Sequence, residues 1–121
     1  MQEDPKDIVA RQLHAYNARD IEAFMAEWAE EAEYFAHPAT LLARGKTEIR
    51  ARHIERFREP DLHGTLLGRV GVADMVVDHE VVTRNFPTGR GKVRVIAIYQ
   101  IVNGRIARAW FKQGEPVIET G

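Results

Sequence analysis

The chain has 121 residues, 17 of them basic and 18 acidic, so its net charge is −1. That is the length of one domain, 1–121, able to bury a core without staples and lacking the basic surplus of a nucleic-acid binder. Cysteine is absent, which excludes disulfides, thiolate nucleophiles and Cys-based metal centres and leaves a reducing cytoplasm as the simplest compartment. The polar, acidic start Met1–Asp7 is unlike a signal peptide, and no apolar run approaches the roughly 18 residues of a membrane span.

Asp4 followed by Pro5 reads as a helix start, because proline lacks the N–H that would be orphaned there. Val9, Leu13 and Tyr16 continue it as one apolar stripe. Asp20 is placed to cap a second helix with the stripe Ile21, Phe24, Met25 and Trp28. Glu33–Ala36 reads as a short strand ended by Pro38. Gly45 marks a turn, and Thr47 is placed to cap a third helix carrying Ile49, His53 and Phe57. That helix stops before Pro60, since the residue preceding a proline is biased away from helical angles.

Beyond Pro60 the period drops from 3.6 to about 2. Four strands are predicted: Leu62–Val72, Met75–Phe86, Lys92–Val102 and Arg105–Gln113. Asn103-Gly104 between the last two is a strong hairpin signal, because both residues tolerate the positive φ of a type I′ turn. Helices that lead and an antiparallel meander that trails imply an α+β fold.

The segments Tyr16–Phe24, Trp28–Ala32, Arg44–Arg50 and Tyr99–Ile106, in this order, resemble the NTF2-like superfamily, in its SnoaL-like and ketosteroid-isomerase-like branch. The resemblance implies a cone: three N-terminal helices packed on a curved, mostly antiparallel sheet, with a pocket inside. It also implies a homodimer formed through the sheet's outer face. It does not imply one reaction, since isomerases, dehydratases, cyclases and non-catalytic adaptors share the fold. Ketosteroid isomerases use a carboxylate base, a tyrosine and a protonated aspartate. Laid on this chain without gaps, the tyrosine falls on Gln12, the base on Ala36 and the aspartate on Ala97. A one-residue bulge would bring His37 to the base position. Two further pocket positions fall on Trp28 and His53.

Strand parity adds candidates. Val93, Val95, Ala97, Tyr99 and Ile101 share one face of their strand, which the resemblance makes the inner one. The opposite set is still apolar, as a face covered by a second subunit would be. Ala107, Ala109 and Phe111 are expected to point inward on the last strand. On Met75–Phe86, Val76, Asp78, Glu80, Val82 and Arg84 form one set, which the resemblance turns inward, and carboxylates are seldom buried unless paired or working. Each candidate has a plainer reading: His53 as a satisfied core histidine, His37 as a loop residue, Trp28 as core, Glu80 as the ion-pair partner of Arg84. No His-x-His or His-x-x-x-His spacing suggests a metal site. Arg44, Lys46, Arg50, Arg52, Arg56 and Arg58 form a basic run, and Asp20, Glu22, Glu27, Glu30, Glu31 and Glu33 an acidic one. These are two solvated helix faces or, for the basic run, an attractor of an anionic ligand.

The expected function is the binding of a small apolar organic molecule, with no cofactor, nucleic acid or membrane. If the protein is an enzyme, the expected chemistry is proton transfer for isomerisation, cyclisation or dehydration. His53, His37 and Glu80 are the candidate acid–base groups, and Gln12, Trp28, Asp78, Ala97 and Phe111 the ligand contacts. The alternative is a non-catalytic binding or dimerisation module. An open cavity on which His53 and a carboxylate converge separates the two.

Overall fold

Residues 3–119 are described by the computed structural model, which leaves positions 1, 2, 120 and 121 of the expected domain outside. The elements run α1 (Pro5–Ala18), α2 (Ile21–Ala26), β1 (Trp28–Ala36), β2 (Thr40–Arg44), α3 (Gly45–Arg56), β3 (His63–Val72), β4 (Met75–Phe86), β5 (Gly89–Val102), β6 (Arg105–Gln113) and β7 (Val117–Ile118). The two aspartate caps form as read. Asp4 accepts the Lys6 N–H at 2.9 Å, and Asp20 accepts the Ala23 N–H at 3.1 Å. Asn103 and Gly104 have φ of 51° and 75°, the left-handed pair that the tight hairpin needs.

Two starts differ from expectation. Trp28 does not extend α2; it opens β1, opposite Ile106 of β6. Thr47 does not cap α3. Gly45, at φ 81°, turns the chain two residues earlier, and the Arg44 N–H is taken by Glu48 Oε1 at 2.8 Å.

The sheet runs in the order β2-β1-β6-β5-β4-β3, with β7 on β5, and it is mixed because β1 lies parallel to β6. This corrects the expected cone. Only α1 and α2 precede the sheet; α3 is inserted after β1 and β2. The end strands β2 and β3 do not pair with each other, so the sheet stays open and is not strongly curled. Among the described residues no helix is long and apolar enough to cross a membrane.

Phe24, Trp28, Ile8, Ile49, Ile106, Val9 and Val76 are all buried and join the helices to the sheet's inner face. Phe24→Ala would cost about 3–5 kcal/mol through lost burial and the cavity left behind. The inward set of β5 holds: Val93, Val95, Ala97, Tyr99 and Ile101 are each buried. On β6 the set changes. Ala107 is skipped between the Gln100–Arg108 and Ile101–Ile106 pairs, so Ile106 rather than Ala107 joins Ala109 in the core.

Candidate functional site

The inner faces of β4, β5 and β6, the Gln12–Tyr16 side of α1 and the Arg52–Arg56 side of α3 enclose an open cavity of about 380 Å³. That lies in the range of about 300–1,000 Å³ typical of small-molecule sites. Of the residues singled out in the sequence, Gln12, His37, His53, Glu80, Ala97 and Phe111 line it, and Trp28 and Asp78 do not. Trp28 is fully buried in the core, with its indole Nε1 unpaired.

Asp78 faces inward but is closed off by Arg69, which grips both its carboxylate oxygens at 2.7 and 2.8 Å. A bulge makes this pair. Leu67 is skipped between the Leu66–Glu80 and Gly68–His79 pairs, which turns Arg69 onto the inner face opposite Asp78.

Glu80, two residues on, has no such partner. It is 6% exposed and, among the described residues, accepts no hydrogen bond or ion pair. Arg84, the partner suggested by the sequence, is instead held by Glu59 at 2.7 and 2.9 Å. The Glu80 carboxyl lies against Gly64, where a Cβ would meet Glu80 Oε1 at 3.1 Å and Leu13 Cδ1 at 3.0 Å. Burial, reinforced by the negative charge of Asp78 and eased by Arg69, pushes the Glu80 pKa up to about 7.

His53 is 3% exposed and packs among rings, with Phe24 at 4.5 Å and Tyr34 at 5.5 Å between centroids. Its Nδ1 donates to the Ile49 carbonyl at 2.8 Å, which leaves Nε2 as an acceptor in the neutral ring. Burial, with Arg56 and Arg52 adding to it against the Ile49 bond, lowers its pKa to about 4. The charges acting on this imidazole are thus cationic, and no carboxylate is paired with it. His37 lies exposed at the rim, ahead of a cis bond to Pro38.

Sequence reasoning missed Tyr16, Tyr34, Arg52, Arg56 and Arg84 as cavity residues. Parity already grouped Arg84 with Asp78 and Glu80. Tyr16 stands on the apolar stripe of α1. Burial pushes the Tyr16 hydroxyl up to about 12, so it is a donor at neutral pH.

A family model described as a SnoaL-like domain matches residues 9–109. The chain belongs to the SnoaL-like family. Solved structures show the fold again. An uncharacterised cystatin-fold protein from Novosphingobium aromaticivorans has 22% identity and a TM-score of 0.84, over 90% of this chain and 97% of that one. IdmH of Streptomyces antibioticus, proposed to be a polyketide cyclase, has 21% identity and a TM-score of 0.77 over 92% of each chain. A protein proposed to be a ketosteroid isomerase, from Kribbella flavida, has 15% identity and a TM-score of 0.80 over 97% of this chain and 82% of that one. No curated protein matches the sequence. At these identities the structural likeness carries the SnoaL-like fold alone. The positions aligned with the isomerase groups, Gln12, Ala36 and Ala97, do line the cavity, but none of them carries a carboxyl or a phenol.

Proposed function

We propose that this chain is a one-domain, cytoplasmic SnoaL-like enzyme that moves a proton on a small organic molecule without a cofactor, in an isomerisation, cyclisation or dehydration. The observation that carries the reading is Glu80, an unpaired carboxyl on the cavity wall whose pKa near 7 populates both acid and base at neutral pH. As carboxylate, Glu80 takes a proton from the carbon next to a substrate carbonyl. The C–H electron pair forms the C=C bond of an enolate as the carbonyl π pair moves onto oxygen, and the protonated Tyr16 hydroxyl donates to that oxyanion. Glu80 then returns its proton to the substrate. His53 takes a different part from the one its sequence position suggests. Neutral and donating to Ile49, it accepts a hydrogen bond from a substrate hydroxyl through Nε2.

The test is deuterium exchange at the acidic carbon of 2-acetylcyclohexanone in heavy water. Wild type accelerates it, and Glu80→Gln lowers the rate about 10²-fold or more. Equal rates in the two proteins overturn the reading. Turnover of a 5-ene-3-ketosteroid is expected to be negligible, because the aligned positions from which an isomerase addresses the steroid are Ala36 and Ala97, and Glu80 and Tyr16 stand elsewhere on the wall. Those two alanines also favour a second reading, a binding module without chemistry, in which ligands bind but neither protein exchanges.

A homodimer through the outer face of the sheet belongs to the same proposal. Ile96 and Val102 are exposed there, and Val77, Val81 and Ile98 are half-buried beside them. Ile98→Glu gives monomers by sedimentation, because an unpaired carboxylate in an interface costs several kcal/mol. A wild type that sediments as a monomer at micromolar concentration refutes the dimer.

A further inference from the structure

Proton transfer at Glu80 leaves the arginines of the cavity wall unused. The basic run Arg44–Arg58 is not one solvated face. Arg44 pairs with Glu33 at 2.9 Å, Arg50 with Glu22, and Arg58 with Glu55 at 3.4 Å, so much of the run is spent on ion pairs, two of them with the acidic run. Arg52 and Arg56, one helical turn apart on α3, are turned to the cavity instead, where Arg84 joins them. Glu59 serves Arg84 closely and Arg56 only at 3.7 Å. Arg52 has no carboxylate partner among the described residues. Its guanidinium stands 5.3 Å over the Tyr34 ring, and its Nε is buried with no acceptor. A planar guanidinium on a cavity wall with no carboxylate partner matches a ligand carboxylate, which takes two Nη–H groups side by side.

Asp78 and Arg69 are the charges that act on Glu80, whereas Arg52 and Arg56 act on His53. We infer that the cavity selects organic molecules bearing a carboxylate, which Arg52 and Arg56 hold on α3 while the rest of the molecule extends toward Glu80. The orientation toward Glu80 rests on the proposed proton-transfer reading; the anion preference does not.

The experiment measures binding of phenylacetate, hexanoate and cinnamate, each against its own neutral amide, by amide chemical-shift perturbation. At least one acid is expected to bind about ten-fold more tightly than its amide, a margin ordinary for a charge-assisted pair. Arg52→Gln and Arg56→Gln remove that margin, and Arg52→Lys, which keeps the charge but loses the fork, retains part of it. Arg58→Gln, exposed in the turn beyond the end of α3, leaves it intact. Glu80→Gln, which removes a negative charge from the cavity, does not lower the margin, so a failure of the proton-transfer reading is told apart from a failure of this one. Acids and amides binding alike in all three pairs overturns the inference. So does a margin that survives in Arg52→Gln, or one that falls equally in Arg58→Gln.

Discussion

The inner face of the sheet has a closed end and an open end, and β4 crosses both. At the closed end, Val76 and Asp78 lie under α1, near Trp28, Phe24 and Ile106, and the one carboxylate there is gripped by Arg69. At the open end, Glu80 and Val82 face a cavity, and the carboxylate has no grip at all. Asp78 and Glu80 stand on one strand, two residues apart, facing the same way. A half-buried arginine makes one a structural pair, and its absence leaves the other ready to exchange protons. The lesson is that burial alone does not single out a candidate acid; burial without a partner does.

The comparison breaks most easily at the closed end. Arg69→Ala should cost about 3–5 kcal/mol in chemical denaturation, since it leaves the Asp78 carboxylate buried and alone. A loss below about 1 kcal/mol would mean that the two ends are alike. At the open end the sign reverses. Glu80 has its pKa raised from 4.5 to about 7 on folding, so its protonated form fits the fold best, and stability falls as pH rises through that window. Glu80→Gln should therefore gain about 3 kcal/mol relative to wild type at pH 8 and little at pH 4.

A third test uses His53, lowered from 6.5 to about 4. Its contribution is present above pH 6.5 and is lost as pH falls toward 4, opposite in slope to that of Glu80. Between about pH 4.5 and 6.5 the two nearly cancel in wild type. His53→Gln should expose the Glu80 slope, about 1.4 kcal/mol per pH unit at most, and Glu80→Gln the reverse slope. The smallest effect is expected from Gly64→Ala. Its methyl presses Leu13 and the Glu80 carboxyl, for a loss of about 1 kcal/mol and a displaced Glu80 titration in carboxyl NMR. A variant with the wild-type titration would detach Gly64 from the site.

Much of this contrast was legible in the sequence. The alternation of β4 grouped Asp78 with Glu80, the family resemblance turned that set inward, and β4 and β6 have the bounds that their turn residues predicted. What alternation could not show is where it is interrupted. The skipped residues Leu67 and Ala107 reverse the faces of Arg69 and Ile106, and neither has a side chain that signals a bulge. Trp28 continued a helical stripe because an apolar residue at that spacing suits a strand start equally well. β2 escaped notice because four of its five residues are exposed, so no face of it alternates. Two of the cavity arginines, Arg52 and Arg56, were hidden inside a charge run. Only ion pairs over long sequence distances, such as Arg50 with Glu22, sort the spent from the available.

Glu59 deserves a last consequence. Its carboxylate takes Arg84 and the Asn85 N–H, while Arg19 donates one Nη2 to the carbonyls of Glu59, Pro60 and Leu62. The segment after α3 is thereby fastened to both α1 and β4, and Arg84 is held in place on the cavity wall. A ligand reaching that wall meets a side chain whose rotamer freedom was given up during folding, so little entropy remains to be lost there on association. Loosening the clamp with Glu59→Gln would show as a more unfavourable binding entropy, even for ligands that never touch Glu59.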